Sequence, residues 1–454
     1  MTIDYKVADV FIEKNLDDSI EEVKKIVSQP SISAKKLGLR ECADMVVAML
    51  EKRGFDVTLN ETDGAPIVTA ERKGCADRTL LFYNHYDVQP PEPLELWDSP
   101  AFEPEIRDGK LYGRGTSDDK GDLVNRLLVL DAILAQQDEL PCNIKFLVEG
   151  EEEVSSKNLE LFVYSHKEEL KADACIWECG GVDHRGIPVQ YLGLRGICYV
   201  ELEVETANQD IHSGLGGSIF PNAAWRLVWA LNSLKDEHEN ILIEGFYDDV
   251  LPLSEEEKAY FKALPDFAAD YKKRYGIKRF LKGIKGGYAM NLEENTRPTC
   301  TICGLTSGYQ GKGSKTVMPA KASAKVDFRL VPDQTPEKIL ELLRAHLDRN
   351  GFEDIKVTAL GGGRPSKTDV GHPFVRLVVD SAKDVYGAPM QITPITGGSG
   401  PNFIVEDALK VPIVSLGIGY MGAGAHSPNE NIRIEDYLKS AKHLVRVLGE
   451  YGEL

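Results

Sequence analysis

The chain has 454 residues, more than a single hydrophobic core usually supports, so two or three domains are expected. Its 53 Lys and Arg residues and 72 Asp and Glu residues give a formal net charge of −19, which argues against nucleic acid and anionic membrane surfaces as partners. Hydrophobic residues make up 42% and charged residues 28%, as in a soluble globular protein, and no apolar stretch approaches the roughly 20 residues that span a bilayer.

The N-terminus and the cysteines predict a cytoplasmic protein. Residues 1–6 lack a basic region followed by an apolar one, so no signal peptide is expected. The eight cysteines, which we expect to be reduced thiols, are Cys42, Cys75, Cys142, Cys175, Cys179, Cys198, Cys300 and Cys303. The pairs Cys175/Cys179 and Cys300/Cys303 could instead form a four-thiolate zinc site. This alternative is disfavoured because Cys175 falls in a strand-like run, where alternate side chains point to opposite faces.

The N-terminal third alternates helix-like and strand-like segments. Helices are predicted at residues 39–53, 120–137 and 156–170, the second of them strongly amphipathic. Strands are predicted at residues 55–59, 67–70, 79–84, 143–148 and 173–177. Alternation of this kind predicts an α/β fold, in which a mostly parallel sheet is flanked by helices.

The pattern changes near Gly193. Half-exposed strands are predicted at 198–205 and 322–330, and helices at 222–234 and 335–349. Strands with one exposed face and a few helices predict an α+β module. The polar, acidic stretch 235–294 suggests no function, and residues 361–365, Gly-Gly-Gly-Arg-Pro, look like the linker that ends the module.

From His372 the first pattern returns, with a helix to Tyr386, a buried strand from Val411 and a final helix over 434–448. The simplest arrangement is one α/β domain, residues 1–193 and 366–454, interrupted by an inserted α+β domain of residues 194–365. The histidines outside the motifs described below are expected at the surface; they are His166, His184, His238, His346, His372 and His443.

Several predicted strands of the α/β domain end near side chains that bind metal ions. These side chains are His85, Glu152, Glu153, Glu178 and His426. In open α/β sheets, ligands bind at the carboxyl ends of the strands. The convergence of histidines and carboxylates there predicts a hydrolytic metal site.

Neighbouring acids fit such a site, although each has a simpler explanation. Asp87 lies two residues after His85 and could orient a metal-bound ring, but the histidine could also be an ordinary loop residue. Asp118 lies in a glycine-rich loop and could bridge two ions, or could simply stabilise a turn. Glu152 and Glu153 could divide proton transfer and metal binding between them, or form a solvated acidic turn.

A set of motifs in a fixed order makes the metal interpretation specific. They are His85-x-Asp87, Gly113-Arg114-Gly115-x-x-Asp118-x-Lys120-Gly121, Glu152-Glu153, Glu178, Asp210-x-His212-Ser213-Gly214 and His426. Over nearly its whole length the chain resembles the dizinc metallopeptidase family that contains glutamate carboxypeptidase, carnosine and other dipeptidases, aminoacylase, acetylornithine deacetylase and succinyl-diaminopimelate desuccinylase. The dipeptidase branch is most similar, through residues 308–319, 328–332 and 397–401.

The resemblance implies a zinc exopeptidase-like catalytic domain with two Zn²⁺ ions per chain. Asp118 would bridge the ions, His85 and Glu178 would complete one, and Glu153 and His426 the other. Mn²⁺ or Co²⁺ are possible substitutes, because mixed oxygen and nitrogen ligands accept all three metals.

The resemblance also implies roles in catalysis and substrate binding. Glu152 would be the general base and Asp87 would orient His85. The inserted domain would be the lid and dimerisation domain of a homodimer, and His212 would stabilise the oxyanion in the partner's active site. Arg329 would bind a substrate carboxylate through its bidentate fork; the residues expected beside it are Ser399 and Gly398.

The leading hypothesis is therefore metal-dependent hydrolysis of dipeptides or short peptides with a free C-terminal carboxylate. Cys303 and Thr396 stand where carnosine-type dipeptidases carry His and Glu, which argues against carnosine specificity but not against hydrolysis. An N-acyl-amino-acid amidohydrolase with the same metal core is the alternative. A non-catalytic protein that keeps the fold is disfavoured, because every expected ligand and Glu152 are present.

Overall fold

The computed structural model describes residues 3–454, which form two compact units. The first contains the chain up to Leu192 together with Thr368–Pro394 and Ile404–Leu454. The second contains Gly193–Lys367 and Ile395–Phe403. The helix Asn402–Leu409 contains the chain boundary between them.

A six-stranded mixed sheet lies at the centre of the first unit. Its strands are, in spatial order, Asp56–Asn60, Ile67–Arg72, Asn143–Glu149, Thr79–His85, Ala174–Trp177 and Ile413–Ser415. The last four run parallel, and the first two add an antiparallel edge. Every residue of Asn143–Glu149 is buried, as expected of a strand covered on both faces. The prediction of an α/β fold with a mostly parallel sheet is confirmed.

Helices and two smaller sheets complete the first unit. The helices are Tyr5–Lys14, Leu16–Val27, Leu39–Glu51, Lys120–Leu134, Leu159–Ser165, Pro373–Ser381, Lys383–Tyr386 and Ile434–Tyr451. One small sheet contains Glu105–Arg107, Lys110–Tyr112 and Asn431–Arg433. The other contains Gly181–Val182, Pro188–Tyr191, Gln391–Thr393 and Gly419–Tyr420.

The helix Lys120–Leu134 is buried on nearly all sides, so the prediction of a strongly amphipathic helix was wrong. Three other helices pack on it, in addition to the sheet; they are Tyr5–Lys14, Leu16–Val27 and Ile434–Tyr451. Its polar residues face buried partners rather than water. Asn125, for example, donates a hydrogen bond to the carbonyl oxygen of Tyr437 at 2.8 Å.

The second unit is built on a four-stranded antiparallel sheet. Its strands are, in spatial order, Thr299–Ser307, Lys321–Leu330, Gly196–Glu205 and Lys356–Gly363. Gly196–Glu205 alternates buried and half-exposed residues, as its sequence pattern predicted. Its buried side chains share a hydrophobic core with the helices Ala223–Leu234 and Pro336–Arg349. The glycines 361–363 lie in the last strand, so their interpretation as a linker was wrong.

Shorter elements complete this unit. Its other helices are Ser213–Gly216, Glu255–Ala263, Ala268–Tyr275 and Gly287–Thr296. Two short strand pairs join Gly193–Leu194 to Ser366–Lys367 and Ile211–His212 to Val317–Met318. Across residues 3–454, no helix combines the length and apolar character that crossing a bilayer requires.

Two histidines that were expected at the surface are buried. His443 is 1% exposed, and its Nε2 lies 2.9 Å from the carbonyl oxygen of Val378 and 3.1 Å from Ser381 Oγ. Burial lowers the pKa of His443 to about 4, so the ring is neutral at physiological pH. His346 is 7% exposed, and its Nε2 lies 3.0 Å from Ser233 Oγ. Both rings lie between packed elements. The polarity of the helices that carry them does not indicate this burial.

Candidate metal centre

The carboxyl ends of neighbouring parallel strands bring the first candidate ligands together. His85 is the last residue of Thr79–His85, and Glu178 directly follows Ala174–Trp177. These two strands pair in parallel, so they end at the same edge of the sheet. Glu152 and Glu153 follow the third strand, Asn143–Glu149, in a short 3-10 helix. The chain therefore places a histidine and three carboxylates above one sheet edge.

Asp118 lies between two histidine–carboxylate pairs. Its Oδ1 lies 2.9 Å from His85 Nε2, and its Oδ2 lies 3.1 Å from His426 Nε2. His85 Nε2 is also 3.4 Å from Glu178 Oε2, while His426 Nε2 is 3.1 Å from Glu153 Oε2. Each oxygen of Asp118 thus faces a different pair. This is the arrangement required of a carboxylate that bridges two cations.

Two tests of the donor set favour divalent ions. In the described part of the chain, the buried carboxylate oxygens that have no hydrogen-bond partner include Glu153 Oε1 and Glu178 Oε2, and such atoms are costly unless a cation compensates them. The carboxylates of Asp118 and Glu153 raise the pKa of His426 to about 10, which reflects the negative charge concentrated here. Imidazole nitrogens mixed with carboxylate oxygens suit Zn²⁺, Mn²⁺ and Co²⁺. The residues therefore fit a pair of divalent ions.

Asp119 is a further candidate ligand that sequence analysis did not single out. Ligand atoms of His85, Asp119 and Glu178 lie within 4.8 Å of one another, as do those of Asp118, Glu153 and His426. Asp119 Oδ2 accepts hydrogen bonds from the backbone N–H of His85, at 3.1 Å, and from Asn84 Nδ2, at 2.6 Å. Its buried Oδ1 has no hydrogen-bond partner among residues 3–454. Its position next to Asp118 was the available signal.

Asp87 lies directly against the ring of His85. His85 Nδ1 lies 3.0 Å from the backbone carbonyl oxygen of Asp87 and 3.3 Å from its Oδ1. Both residues are fully buried. A hydrogen bond on Nδ1 leaves Nε2 free to bind a metal, so the contact orients the ring towards Asp118.

Glu152 occupies the same short helix as Glu153. The pKa of Glu152 is raised to about 7, chiefly by burial; the ring of His85 lowers it, and the nearby carboxylates of Asp118 and Glu153 raise it. A carboxylate with a pKa near neutrality can both take and return a proton. The chemistry open to this residue is therefore general acid–base catalysis.

Arg126 is a positioning residue that sequence analysis missed. It is 1% exposed, and its Nη1 donates hydrogen bonds to the carbonyl oxygen of Tyr83 and to Asn84 Oδ1, both at 2.6 Å. Its Nη2 donates to the carbonyl oxygen of Trp177 at 2.7 Å. Arg126 thereby ties together the ends of the two strands that present His85 and Glu178. A charged residue directly before the apolar run 127–130 was the available sequence signal.

The remaining predicted site residues lie in the second unit. Arg329 Nη1 donates a hydrogen bond to Ser399 Oγ at 2.7 Å, and Arg329 Nε lies 3.2 Å from Asp327 Oδ2. The carbonyl oxygen of Gly398 accepts a hydrogen bond from the backbone N–H of Arg195 at 2.8 Å. The structure thus brings Arg329 and Ser399 together and places Gly398 beside Ser399.

His212 lies elsewhere in the second unit. It ends the strand Ile211–His212, its side chain is exposed, and its Nδ1 accepts a hydrogen bond from the backbone N–H of Gly214 at 3.0 Å. That contact leaves Nε2 as the ring nitrogen available to a ligand. The Nε2–H of His212 is therefore available as a hydrogen-bond donor.

Comparison with known proteins adds a family relationship to this geometry. A model of peptidase family M20/M25/M40 matches residues 81–450. A Beta-Ala-His dipeptidase of Rattus norvegicus is 31% identical over 407 residues, which cover 86% of this chain and 80% of the relative. A Cys-Gly metallodipeptidase of Schizosaccharomyces pombe is 30% identical over 460 residues, which cover 95% of each protein.

A solved structure shows the same similarity in three dimensions. The M20 family metallo-carboxypeptidase of Sulfolobus solfataricus superimposes with a TM-score of 0.90 and 39% sequence identity. The match covers 96% of this chain and 99% of that protein. The matched region therefore includes residues of both units.

Proposed function

The chain belongs to peptidase family M20/M25/M40, and from that premise we propose that it is a metal-dependent dipeptidase. Its substrates are dipeptides or short peptides with a free C-terminal carboxylate. The observation that carries the proposal is Asp118, whose two oxygens face His85 and His426 at 2.9 Å and 3.1 Å. The relatives named Beta-Ala-His dipeptidase and Cys-Gly metallodipeptidase support a dipeptide substrate over an N-acyl amino acid.

We assign two divalent ions to each chain, with Zn²⁺ as the first choice and Mn²⁺ or Co²⁺ as substitutes. His85 and Glu178 would hold one ion, Glu153 and His426 would hold the other, and Asp118 would contribute to both. Bound ions would supply Lewis acidity towards the scissile carbonyl and towards water. Asp119 would be a further ligand beside His85 and Glu178, because its Oδ1 has no hydrogen-bond partner among residues 3–454.

The protein's own residues divide the remaining work. Glu152 takes a proton from the attacking water and delivers it to the leaving amine. Asp87 keeps the ring of His85 in place throughout. His212 donates a hydrogen bond to the oxygen that becomes negative in the transition state. In this assignment, the first unit is catalytic and the second is the lid and dimerisation domain.

Substrate recognition is assigned to a cluster in the second unit. Arg329 binds the C-terminal carboxylate with its guanidinium fork, which Ser399 and Asp327 hold in orientation. Gly398 precedes Ser399 in the same loop, and its carbonyl oxygen accepts a hydrogen bond from the backbone N–H of Arg195. A free C-terminus is the substrate feature that this cluster selects.

A substrate panel tests the proposal. Chelator-treated enzyme is assayed with dipeptides, tripeptides and N-acetyl amino acids, before and after Zn²⁺ or Mn²⁺ is returned. We expect metal-restored cleavage of the dipeptides. Tripeptides belong in the panel because the Sulfolobus solfataricus relative is named a metallo-carboxypeptidase. Cleavage of N-acetyl amino acids alone would move the protein to the amidohydrolases.

We also propose that the second unit forms a homodimer. Its helix Ala223–Leu234 exposes Trp225 and Trp229, which are 58% and 55% exposed and stack with ring centroids 5.9 Å apart. The edge strand Thr299–Ser307 exposes Ile302 and Leu305. Exposed aromatic residues beside an unpaired strand edge are typical of a subunit interface.

Light scattering tests the dimer. The wild-type protein should have the molar mass of a dimer, and Trp225→Glu should shift the measured mass towards that of the monomer. Leu161→Glu is the matched control, because Leu161 is 77% exposed on a helix of the first unit. A dimer that tolerates Trp225→Glu would exclude this surface.

We propose that the protein is cytoplasmic. Its partners are small peptide substrates, and we expect it to bind neither nucleic acid nor membranes. All eight cysteines are free thiols, which supports a reducing compartment. Fractionation of cells that produce the protein tests this placement.

A further inference from the structure

Glu430 is a fully buried carboxylate whose two oxygens are both occupied by the loop that carries Asp118. Its Oε1 accepts hydrogen bonds from the backbone N–H groups of Ser117, at 2.9 Å, and Asp118, at 3.0 Å. Its Oε2 accepts from the backbone N–H of Gly115 at 3.0 Å. A concave run of backbone N–H groups usually binds an external anion; here a side chain of the same protein occupies it.

Arg114 completes the contact from the other side. It is 1% exposed, and its Nη1 donates to Glu430 Oε2 at 2.6 Å. Its Nη2 donates to the carbonyl oxygen of Ser427 at 3.3 Å, and the backbone N–H of Gly113 donates to the carbonyl oxygen of Glu430 at 2.9 Å. Several hydrogen bonds therefore join the segments 113–118 and 427–430.

Each of these two segments contains or directly adjoins a candidate ligand of the same ion. Asp118 ends the first segment, and His426 immediately precedes the second. The first segment has no regular secondary structure, and Gly115 has a φ of +94°, so its conformation must be imposed from outside. His426 itself has a φ of 60°, a conformation that is uncommon for non-glycine residues.

We propose that Glu430 is a positioning residue of the candidate metal centre. Through its ion pair with Arg114 and its hydrogen bonds to the backbone of the Asp118 loop, Glu430 sets the distance between Asp118 and His426. It touches neither substrate nor metal; it fixes the backbone from which two ligands project. The inference rests on the proposed function, because it requires that Asp118 and His426 bind a cation. Outer contacts of this kind typically change metal affinity about 10- to 100-fold.

Glu430→Gln tests the proposal with metal affinity as the readout. Wherever the new amide nitrogen lies, it faces an N–H donor, so hydrogen bonds to the Asp118 loop are lost. Metal-free protein is titrated with Zn²⁺ in competition with a chromophoric chelator. We expect the dissociation constant of the weaker site to rise at least 10-fold. Glu435→Gln, an exposed substitution nearby, is the matched control and should leave it unchanged.

A second variant separates positioning from folding. Glu430→Asp keeps the buried charge beside Arg114 but is too short to reach all three N–H groups, so it should weaken Zn²⁺ binding while retaining the fold. Circular dichroism and the thermal midpoint of the metal-free proteins report folding. A lower midpoint with unchanged Zn²⁺ affinity in a folded Glu430 variant would overturn the proposal, because Glu430 would then be only structural. If wild-type protein binds no divalent ion, the proposed function itself fails.

Discussion

The carboxylate of Asp87 accepts a hydrogen bond from the backbone N–H of Glu152 at 3.2 Å. Its second oxygen accepts one from the backbone N–H of Glu153 at 3.1 Å, and its first oxygen lies 3.3 Å from His85 Nδ1. Asp87 therefore links three residues of the candidate metal centre. It orients the ring of His85 and also fixes the short helix that presents the candidate base and a candidate ligand.

Because Asp87 has this double role, we expect Asp87→Asn to reduce metal affinity and activity more than the loss of a single hydrogen bond would. An amide has one acceptor oxygen, so one of the three groups must face a donor instead. We expect metal affinity and activity to fall about 10- to 100-fold. Zinc titration and dipeptide assays check this, with the exposed Asp63→Asn as control. An Asp87→Asn protein with wild-type zinc affinity would show that Asp87 does not organise the centre.

Glu152→Gln should abolish turnover while metal content stays near two ions per chain. The amide cannot take a proton, and general-base groups contribute about 100-fold or more to rate. Steady-state assays and elemental analysis of the same preparation check the two expectations. Full activity in this variant would exclude Glu152 as the base, and loss of metal would reassign it as a ligand.

Arg329→Lys should raise KM for dipeptides with little change in kcat. Lysine keeps the positive charge but not the fork that contacts Ser399 Oγ at 2.7 Å. The wild-type enzyme should discriminate against dipeptides whose C-terminus is amidated, and the variant should lose much of that discrimination. Arg349→Lys, at an exposed position of the same unit, is the control. Equal discrimination in both variants would place carboxylate recognition elsewhere.

His212→Ala and Glu152→Gln should complement each other if His212 acts in the active site of the partner subunit. Each variant alone is expected to be inactive. A mixed dimer contains one site with both groups intact, so random exchange of equal amounts should restore about a quarter of wild-type activity, as a symmetric dimer requires. Assays after mixing check this. No recovery after verified subunit exchange would count against action across the dimer.

The buried ring of His443 predicts a loss of stability in mild acid. Burial lowers the pKa of His443 from 6.5 to about 4, and the charge of Arg446 lowers it too. Between these values the unfolded chain binds more protons than the folded one, so the free energy of unfolding falls as the pH decreases. From pH 7 to pH 5 this group alone should account for about 2 kcal/mol.

Urea unfolding of the wild type and His443→Gln at both pH values isolates that contribution. Glutamine can still donate to the carbonyl oxygen of Val378 but does not titrate. The variant should therefore be less stable than the wild type at pH 7 and recover about 2 kcal/mol relative to it at pH 5. A stability difference that is the same at both pH values would show that the ring does not titrate on unfolding.

Local order along the chain was sufficient to predict the layers of the fold and where the candidate site lies. Buried runs such as 79–84 and 143–148 became strands, and the residues after them, among them His85 and Glu153, meet at one sheet edge. These features depend on periodicity over a few residues and on the rule that parallel strands present their carboxyl ends together. The same local reasoning failed for residues 361–363, where pairing with Gly196–Glu205 makes a strand of a glycine run.

By itself, the sequence determined the fold class and the chemical types of residue at the centre. Only the tertiary structure decided how those residues are held. The contact between Glu430 and the backbone of Asp118 spans 312 positions, and that between Arg126 and Trp177 spans 51. His443 is buried because the helix Pro373–Ser381 packs on the last helix. Such partners are brought together by packing of distant segments, and neither composition nor periodicity encodes which distant segment a side chain will meet.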